Sequence, residues 1–240
     1  MHFEIIKTDQ ATVEPLRRIF LSEVKFQFIY NKCHNAGWAD VYLFTINKLH
    51  VGYGSVWGKE KRDNRDTIFE FYLSYPFRKY ESLIFADFIK CSGAGFIQCQ
   101  SNDIPITGML FEYADNIKAE AIVFEDSYET DQNIPGARLI KYEMSDSEVE
   151  YRLEKDDEIV GTGGYVWNYN YPFIDLYYEV KEEYRKNGFG SLIVQELKKE
   201  AYRLKRVPAA RCNVKNAASK RTLIKAGMRV CGFILIGELM

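Results

Sequence analysis

Hydrophobic residues fall into runs of strand length over much of the second half of the chain. Runs of this kind, rich in aliphatic and aromatic side chains, are typical of β-strands. The predicted strands cover about 137–143, 148–155, 158–168 and 172–180. The polar sequence Lys155-Asp156-Asp157-Glu158 predicts a turn between the second and the third of these strands.

The hydrophobic period then changes to that of an amphipathic helix. One stripe recurs at intervals of three or four residues and consists of Ile193, Leu197, Ala201 and Leu204. This stripe predicts a helix from about Gly190 to Arg206, and Pro208 ends it because proline lacks the amide hydrogen that a helix needs.

The remaining residues predict a strand, a helix and a further strand or pair of strands. The strand covers about 209–214, and Asn216 is a good N-cap for a helix that stops at Gly227. The last strand or pair fills 228–239. The first half has a similar order, preceded by a helical segment at about 12–32. The expected fold class is α/β, with mixed, mostly antiparallel twisted sheets flanked by helices.

Two collinear matches relate the halves to each other. The aromatic, glycine-rich run Val51–Trp57 reappears as Val160–Trp167, and Phe77-Arg78-Lys79 reappears as Tyr184-Arg185-Lys186. The offsets between matched residues stay between 107 and 110, so order and spacing agree as well as residue type. The matches indicate a duplicated domain.

A polar stretch that ends in Pro-Gly, Thr130–Gly136, predicts the joint between the copies. We therefore expect domains at 1–132 and 133–240. The sign of the net charge changes near the same place. Residues 1–135 have 14 Lys and Arg against 19 Asp and Glu, whereas residues 136–240 have 18 Lys and Arg against 15 Asp and Glu.

Composition excludes several classes of protein. The formal net charge of −2 argues against a globally basic nucleic-acid binder. No apolar run approaches the ~20 residues of a membrane helix, and the amino terminus does not resemble a signal peptide. The five cysteines are scattered without a CxxC pair, and the three histidines are not paired at i, i+4. We therefore expect a cytoplasmic, reduced protein without a metal site.

The segment Lys181–Ser191 has the features of a phosphate-binding loop. It lies between a predicted strand and the amphipathic helix, and Gly188 and Gly190 allow backbone amides and the helix amino terminus to face one anion. It matches neither the Walker loop nor the GxGxxG dinucleotide fingerprint. Between Lys181 and Arg229, 14 Lys and Arg stand against 4 Asp and Glu, which favours an anionic ligand. Arg185, Lys186 and Lys220 are the best candidates to contact phosphate.

This part of the chain resembles the GNAT superfamily of acyl-CoA-dependent N-acyltransferases. Arg185–Gly190 resembles that family's R/Q-x-x-G-x-G/A loop, and Asp175–Val180 looks like its central strand. Asn216–Ser219 and Ala226–Met228 look like its N-x-x-A/S helix and the x-G-F that follows. These motifs cover about 172–230 in the family's order and at its spacing.

The resemblance implies binding of acetyl-CoA, or of a related acyl-CoA, at the end of the central strand. In the family, loop amides bind the pyrophosphate and the strand backbone pairs with the pantetheine. The implied binding residues are Tyr178, Val180, Arg185, Lys186, Asn187, Gly188, Phe189, Gly190, Ser191, Asn216, Ser219 and Lys220.

The implied reaction is direct attack of an amine on the thioester, which needs a base and an acid. Asp175 is the first candidate for the base and Glu179 the second. They share one side of the strand, about 13 Å apart, although either residue equally fits a structural role at the sheet edge or as a partner of Arg185. The family often has a tyrosine as general acid where this chain has Leu223. Tyr178, Tyr184 or water are the possible substitutes.

The first half departs from the family at the loop. It has Arg78-Lys79-Tyr80-Glu81-Ser82, without glycine and with an added carboxylate, so we expect no CoA binding there. Glu70 matches Asp175, and Ser74 stands near the place of Glu179. We expect this half to form the wall of the substrate cleft on the acceptor side of the second half. Its acidic charge would favour a cationic amine there.

The sequence thus predicts an N-acetyltransferase that transfers an acetyl group from acetyl-CoA to a primary amine. The acceptor is a small molecule or a peptide amine, with neither nucleic acid nor membrane as a partner, and the oligomeric state stays open. The alternative is a non-catalytic acyl-CoA sensor or interaction module, favoured by the missing tyrosine and the altered first loop.

Overall fold

The computed structural model describes residues 2–23, 31–143, 149–167 and 169–240. The chain divides into two compact units. The first unit comprises Met1–Glu120 and Phe233–Met240, and the second unit comprises Ala121–Gly232. The predicted domain boundary between residues 132 and 133 therefore lies inside the second unit.

The helices and strands of the described residues follow the predicted order. The strands are β1 (Phe3–Thr8), β2 (Ala39–Ile46), β3 (Leu49–Trp57), β4 (Thr67–Leu73), β5 (Phe96–Gln100), β6 (Ala114–Asp126), β7 (Ala137–Glu143), β8 (Val149–Lys155), β9 (Glu158–Val166), β10 (Phe173–Val180), β11 (Val207–Asn213) and β12 (Met228–Leu239). The helices are α1 (Gln10–Glu23), α2 (Asn31–Asn35), α3 (Glu81–Ser92), α4 (Ile104–Tyr113), α5 (Phe189–Arg203) and α6 (Ala217–Lys225).

Local signals place most element ends where the sequence predicts them. Asn216 caps α6, since its side chain accepts a hydrogen bond from the amide of Ser219, and Gly227 follows the helix with φ +82°. Helix α5 ends at Arg203, before the predicted Arg206, because Lys205 adopts a left-handed conformation. The predicted segment 12–32 overlaps α1, which begins two residues earlier, and the start of α2. Its residues 24–30 lie outside the described residues.

Each unit contains a mixed sheet with the same strand order. In the first unit the order is β1-β2-β3-β4-β5-β12-β6, with residues 233–239 of β12. In the second unit it is β7-β8-β9-β10-β11-β6-β12, with residues 121–126 of β6. The described pairs are antiparallel except β4 with β5 and β10 with β11. The shared order and the two matching parallel pairs confirm the predicted α/β class and support the duplication.

Helix α5 forms the core of the second unit against β9. Ile193, Leu197 and Ala201 are fully buried, and a Cβ added to Gly163 would lie 2.9 Å from Ile193 and Leu197. Glycine is therefore needed there for the helix to lie this close to the strand. Leu204, the last residue of the predicted stripe, is 44% exposed because the helix has already ended.

The sheet of the first unit contains a buried ionic cluster centred on Glu70. Its carboxylate accepts hydrogen bonds from Arg17 at 2.9 Å and from His34 at 2.9 Å, so β4 is tied to α1 and α2. Burial by itself would raise the pKa of Glu70, but the Arg17 and His34 partners outweigh it and hold that pKa well below its usual range.

The register of the two units corrects two matches made from the sequence. The Nε of Arg78 donates to the carbonyl of Leu73, and the Nε of Arg185 donates to the carbonyl of Val180, five residues back in each unit. Counted from these equivalent bonds, Glu70 takes the place of Tyr177 rather than of Asp175. By the same count Ser74 takes the place of Lys181 rather than of Glu179.

Candidate active site

The site begins where strands β10 and β11 separate. They pair in parallel only from Phe173 opposite Val207 to Asp175 opposite Ala209. Beyond that point β10 stays paired with β9 as far as Val180, and β11 stays paired with β6 as far as Asn213. A gap therefore opens between the two strands, and the β10 edge along this gap has no strand partner among the described residues.

A tightly folded loop connects β10 to α5. Lys186 and Gly188 both have positive φ, +67° and +86°, which turns the chain back over the start of the helix. The side-chain amide of Asn187 donates to the carbonyls of Tyr184 and Arg185, each at 3.3 Å, and braces the turn. The first amides of α5 lack intrahelical partners, so this end of the helix favours an anion.

A cavity of about 570 Å³ lies between the end of β10, this loop and α6. Its wall contains Tyr178, Glu179 and Val180 from β10, residues 184–186 and 188–191, and one side of α6 with Asn216 and Ser219. The structure thus brings most of the residues named from the sequence around one cavity.

Three residues named from the sequence lie outside this wall. Asp175 is buried in the paired part of β10, with its Oδ2 3.5 Å from the Nε of Arg211. Asn187 turns its side chain into the loop backbone. Lys220 lies on α6 but does not line the cavity.

Sequence reasoning missed two cations on α6 that do line the cavity. Arg221 and Lys225 lie one helical turn apart and face it. The signal was their spacing of three and seven residues from Ala218, which selects one side of the helix. Lys225 reaches the loop itself, because its Nζ lies 3.7 Å from the position that a Cβ on Gly188 would take.

The wall is strongly cationic. Arg185, Lys186, Arg221 and Lys225 contribute four positive charges, and within the described wall the only carboxylate is that of Glu179. A concave surface with several cations and a helix amino terminus is suited to a polyanionic ligand.

Gly190 leaves room where the cavity meets the helix. A Cβ there would lie 3.1 Å from the Cγ2 of Thr222 and 3.2 Å from the Cε2 of Tyr178, closer than most side-chain contacts. The hydroxyl of Ser191 is buried and bonded to the carbonyl of Gly188 and to Gln132, so Ser191 offers its backbone amide to the cavity.

Two tyrosines near the cavity differ in their surroundings. The hydroxyl of Tyr178 lies 3.0 Å from the Oγ of Ser219, and burial raises the pKa of Tyr178. The hydroxyl of Tyr184 instead donates to Glu158. Leu223, where the family often has tyrosine, is buried in the core one turn after Ser219.

Residues 116–228 match the model of the acetyltransferase (GNAT) family. This part of the chain is a GNAT domain. Among the described residues, no group of three or more His, Cys, Asp or Glu side chains is close enough together to hold a metal ion. No described helix has both the length and the apolar character needed to cross a membrane.

Solved structures with the same fold cover both units. An acetyltransferase of the GNAT family from Colwellia psychrerythraea is 11% identical with a TM-score of 0.78, covering 99% of this chain and 100% of that one. A tandem GNAT protein from the clavulanic acid biosynthesis pathway is 9% identical with a TM-score of 0.67, covering 99% and 98%. An N-acetyltransferase from Sphaerobacter thermophilus is 12% identical with a TM-score of 0.62, covering 98% and 95%.

At these identities the similarity shows a shared fold. Comparison with curated proteins found no similar sequence.

Proposed function

We propose that the GNAT domain binds acetyl-CoA, or a related acyl-CoA, and transfers the acyl group to a primary amine. The observation that carries this proposal is the cationic cavity at the point where β10 and β11 separate. Its volume, its four cations and the close approach permitted by Gly190 fit the phosphates and the narrow pantetheine of an acyl-CoA.

Each part of the wall has a role in holding this donor. The amides of the loop and of the first turn of α5, together with Arg185 and Lys186, hold the pyrophosphate. Arg221 and Lys225 add positive charge from α6. The β10 edge that faces the gap has no strand partner among the described residues beyond Asp175, and it offers backbone groups to the amides of the pantetheine. When bound, the donor supplies a thioester whose carbonyl carbon accepts the amine.

Glu179 is the base in this proposal. An amine attacks only after it loses a proton, and Glu179 is an exposed carboxylate in the cavity wall. Asp175, the first candidate from the sequence, instead lies outside the wall and against Arg211. Glu179 takes the amine proton as the nitrogen–carbon bond forms.

Tyr178 is the acid. Its phenol extends from β10 to Ser219 of α6. Ser219 lies one helical turn before Leu223, the position where the family often has a tyrosine. Its raised pKa keeps it protonated at neutral pH. Tyr178 gives its proton to the sulfur as the carbon–sulfur bond breaks.

Isothermal titration with acetyl-CoA tests the donor site. We expect binding to the wild-type protein and its loss in Gly190→Trp, because the indole fills the space beside Thr222 and Tyr178. Gly108→Trp is the matched control, since Gly108 is an exposed glycine with open space around it. Absence of binding to the wild type, or unchanged binding to Gly190→Trp, would overturn the proposal.

The buried Leu223 favours one second candidate, an acyl-CoA-binding module without turnover. Release of the CoA thiol in the presence of amines separates the two. Thiol release that disappears in Glu179→Gln supports the enzyme, whereas binding without release under any amine supports the module.

A further inference from the structure

The register of β10 and β11 places four side chains around the gap on the side of the sheet opposite α5. Asp175 and Ala209 are paired in parallel, so their side chains lie on the same side of the sheet. Two residues further along each strand, Tyr177 and Arg211 lie on that same side. Glu179 follows Tyr177 by two further residues.

Arg211 is held in place by two buried neighbours. Its Nε lies 3.5 Å from the Oδ2 of Asp175, and its Nη2 donates to the hydroxyl of Tyr169 at 3.0 Å. Asp175 is 7% exposed and Tyr169 5%. The guanidinium lies 5.8 Å from the centroid of the Tyr169 ring, and 43% of the Arg211 side chain is exposed.

Tyr177 does not cover this guanidinium. A Cβ placed on Gly164 of β9 would lie 2.5 Å from the hydroxyl of Tyr177, so the ring lies across β9. It leans away from β11, where Arg211 is located. Tyr177 therefore does not lie between Glu179 on one strand and Arg211 on the other.

We propose that Arg211 binds a carboxylate of the amine acceptor, so that the substrates are amino acids or other amines that carry an acidic group. This inference rests on the proposed function, because it places the amine at Glu179. Guanidinium binds carboxylate through parallel hydrogen bonds. Asp175 and Tyr169 hold the Nε–Nη2 edge, which leaves an N–H of Nη1 and the second N–H of Nη2 for the acceptor.

Asp175 acquires a role of its own in this arrangement. It is a positioning residue that orients Arg211, and it partly offsets the charge of the guanidinium when no acceptor is present. A purely cationic amine gains nothing from Arg211, because like charges repel across the gap.

The test compares acceptors that differ only in the acidic group. The ω-amino acids from glycine to 6-aminohexanoate are each compared with the alkylamine and the diamine of the same chain length, using acetyl-CoA and thiol release to obtain kcat/KM. We expect the best amino acid to exceed its matched alkylamine by about tenfold or more, the size of a hydrogen bond between charged groups.

Variants assign this preference to one side chain. In Arg211→Gln the preference should disappear through KM, while transfer to alkylamines persists. Arg211→Lys keeps a positive charge beside Asp175 and should retain part of the preference, which guards against a folding effect. Arg229→Gln is the matched control, because Arg229 is a 67% exposed arginine of the same unit that is paired with Glu125.

Each outcome supports or overturns a stated proposal. Equal or faster transfer to alkylamines or diamines overturns the carboxylate assignment and leaves the proposed function standing, as does a preference that survives Arg211→Gln. Acetyl-CoA binding without transfer to any of these amines overturns the acceptor class and favours the non-catalytic module. Absence of acetyl-CoA binding overturns both proposals.

Discussion

At the scale of single residues, the chemistry expected of a side chain depends on what its polar atoms contact rather than on residue type alone. Tyr178 and Tyr184 are both close to it, yet one phenol is buried against Ser219 and the other donates to Glu158. This difference is the reason that we propose Tyr178 rather than Tyr184 as the acid.

We expect Tyr178→Phe to lower kcat by about 100-fold, the lower range for general acid catalysis, with little change in the KM for acetyl-CoA. Burial raises the pKa of Tyr178 above its ordinary value of 10, so the phenol stays protonated as pH rises, and the wild type should show no loss of kcat from this group below pH 10. Stopped-flow and steady-state rates across pH measure both effects. Tyr184→Phe is the control, and an unchanged kcat in Tyr178→Phe would contradict the assignment.

Lys225 and Lys220 form a second matched pair on α6. Lys225 lines the cavity and Lys220 does not. Lys225→Gln should weaken acetyl-CoA binding by about three- to tenfold at low salt, and less at high salt, because exposed charges are screened. Titration calorimetry at two ionic strengths measures this. An equal loss in Lys220→Gln would show that overall charge, rather than the wall, determines affinity.

At the scale of elements, an ionic cluster holds helices α1 and α2 to the sheet of the first unit. Arg17 and Glu70 are 4% and 0% exposed, so removing one partner leaves the other charge buried. The attachment of these helices to the sheet therefore depends on the charge of Glu70.

We therefore expect Glu70→Gln to lower the free energy of unfolding by about 3 kcal/mol at pH 7. The pKa of Glu70 is lower in the folded than in the unfolded state, where it is near 4.5. Its contribution is therefore present above pH 4.5 and is lost as pH falls further. Urea unfolding at pH 7, 5 and 3.5 should show the gap between wild type and variant narrowing only at the lowest pH, where the unfolded state binds a proton and the folded state does not.

The control for this measurement lies on α1, the helix that carries Arg17. Glu14 forms an exposed pair with Arg18, so Glu14→Gln should change stability by less than about 1 kcal/mol at every pH. A gap for Glu70→Gln that stays constant down to pH 3.5 would contradict the role given to the carboxylate.

At the scale of the whole molecule, one fold occurs twice, and the described residues of the two copies differ at the place of the donor site. In the first unit a smaller cavity of about 350 Å³ lies beside β4 and the start of α4. Its Arg78, equivalent to Arg185, is already paired with Glu23. Helix α3 begins with the carboxylate of Glu81, where an anion would be repelled.

We accordingly expect one molecule of acetyl-CoA to bind per chain. Titration calorimetry gives the stoichiometry directly. A value near two would show that the first unit also binds the donor, and a value near one that persists in Gly190→Trp would place the site elsewhere than in the second unit. The expected acceptor-side role of the first unit stays a prediction.

The sequence by itself determined the features that depend on neighbouring residues. The strand and helix periods, the cap at Asn216, the glycine-rich loop and the duplication can all be recognised locally, because each reflects a spacing of a few residues or a repeated run.

The tertiary structure decided what depends on packing between distant segments. It showed that Lys225, and not Lys220, lies on the side of α6 that lines the cavity. It also placed Asp175 against Arg211 through the pairing of β10 with β11. It also assigned the parts of β6 and β12 to different units. The sequence does not show which side of a helix will face a cavity, nor which strand will pair with which. These features become visible only in the assembled sheet and its helices.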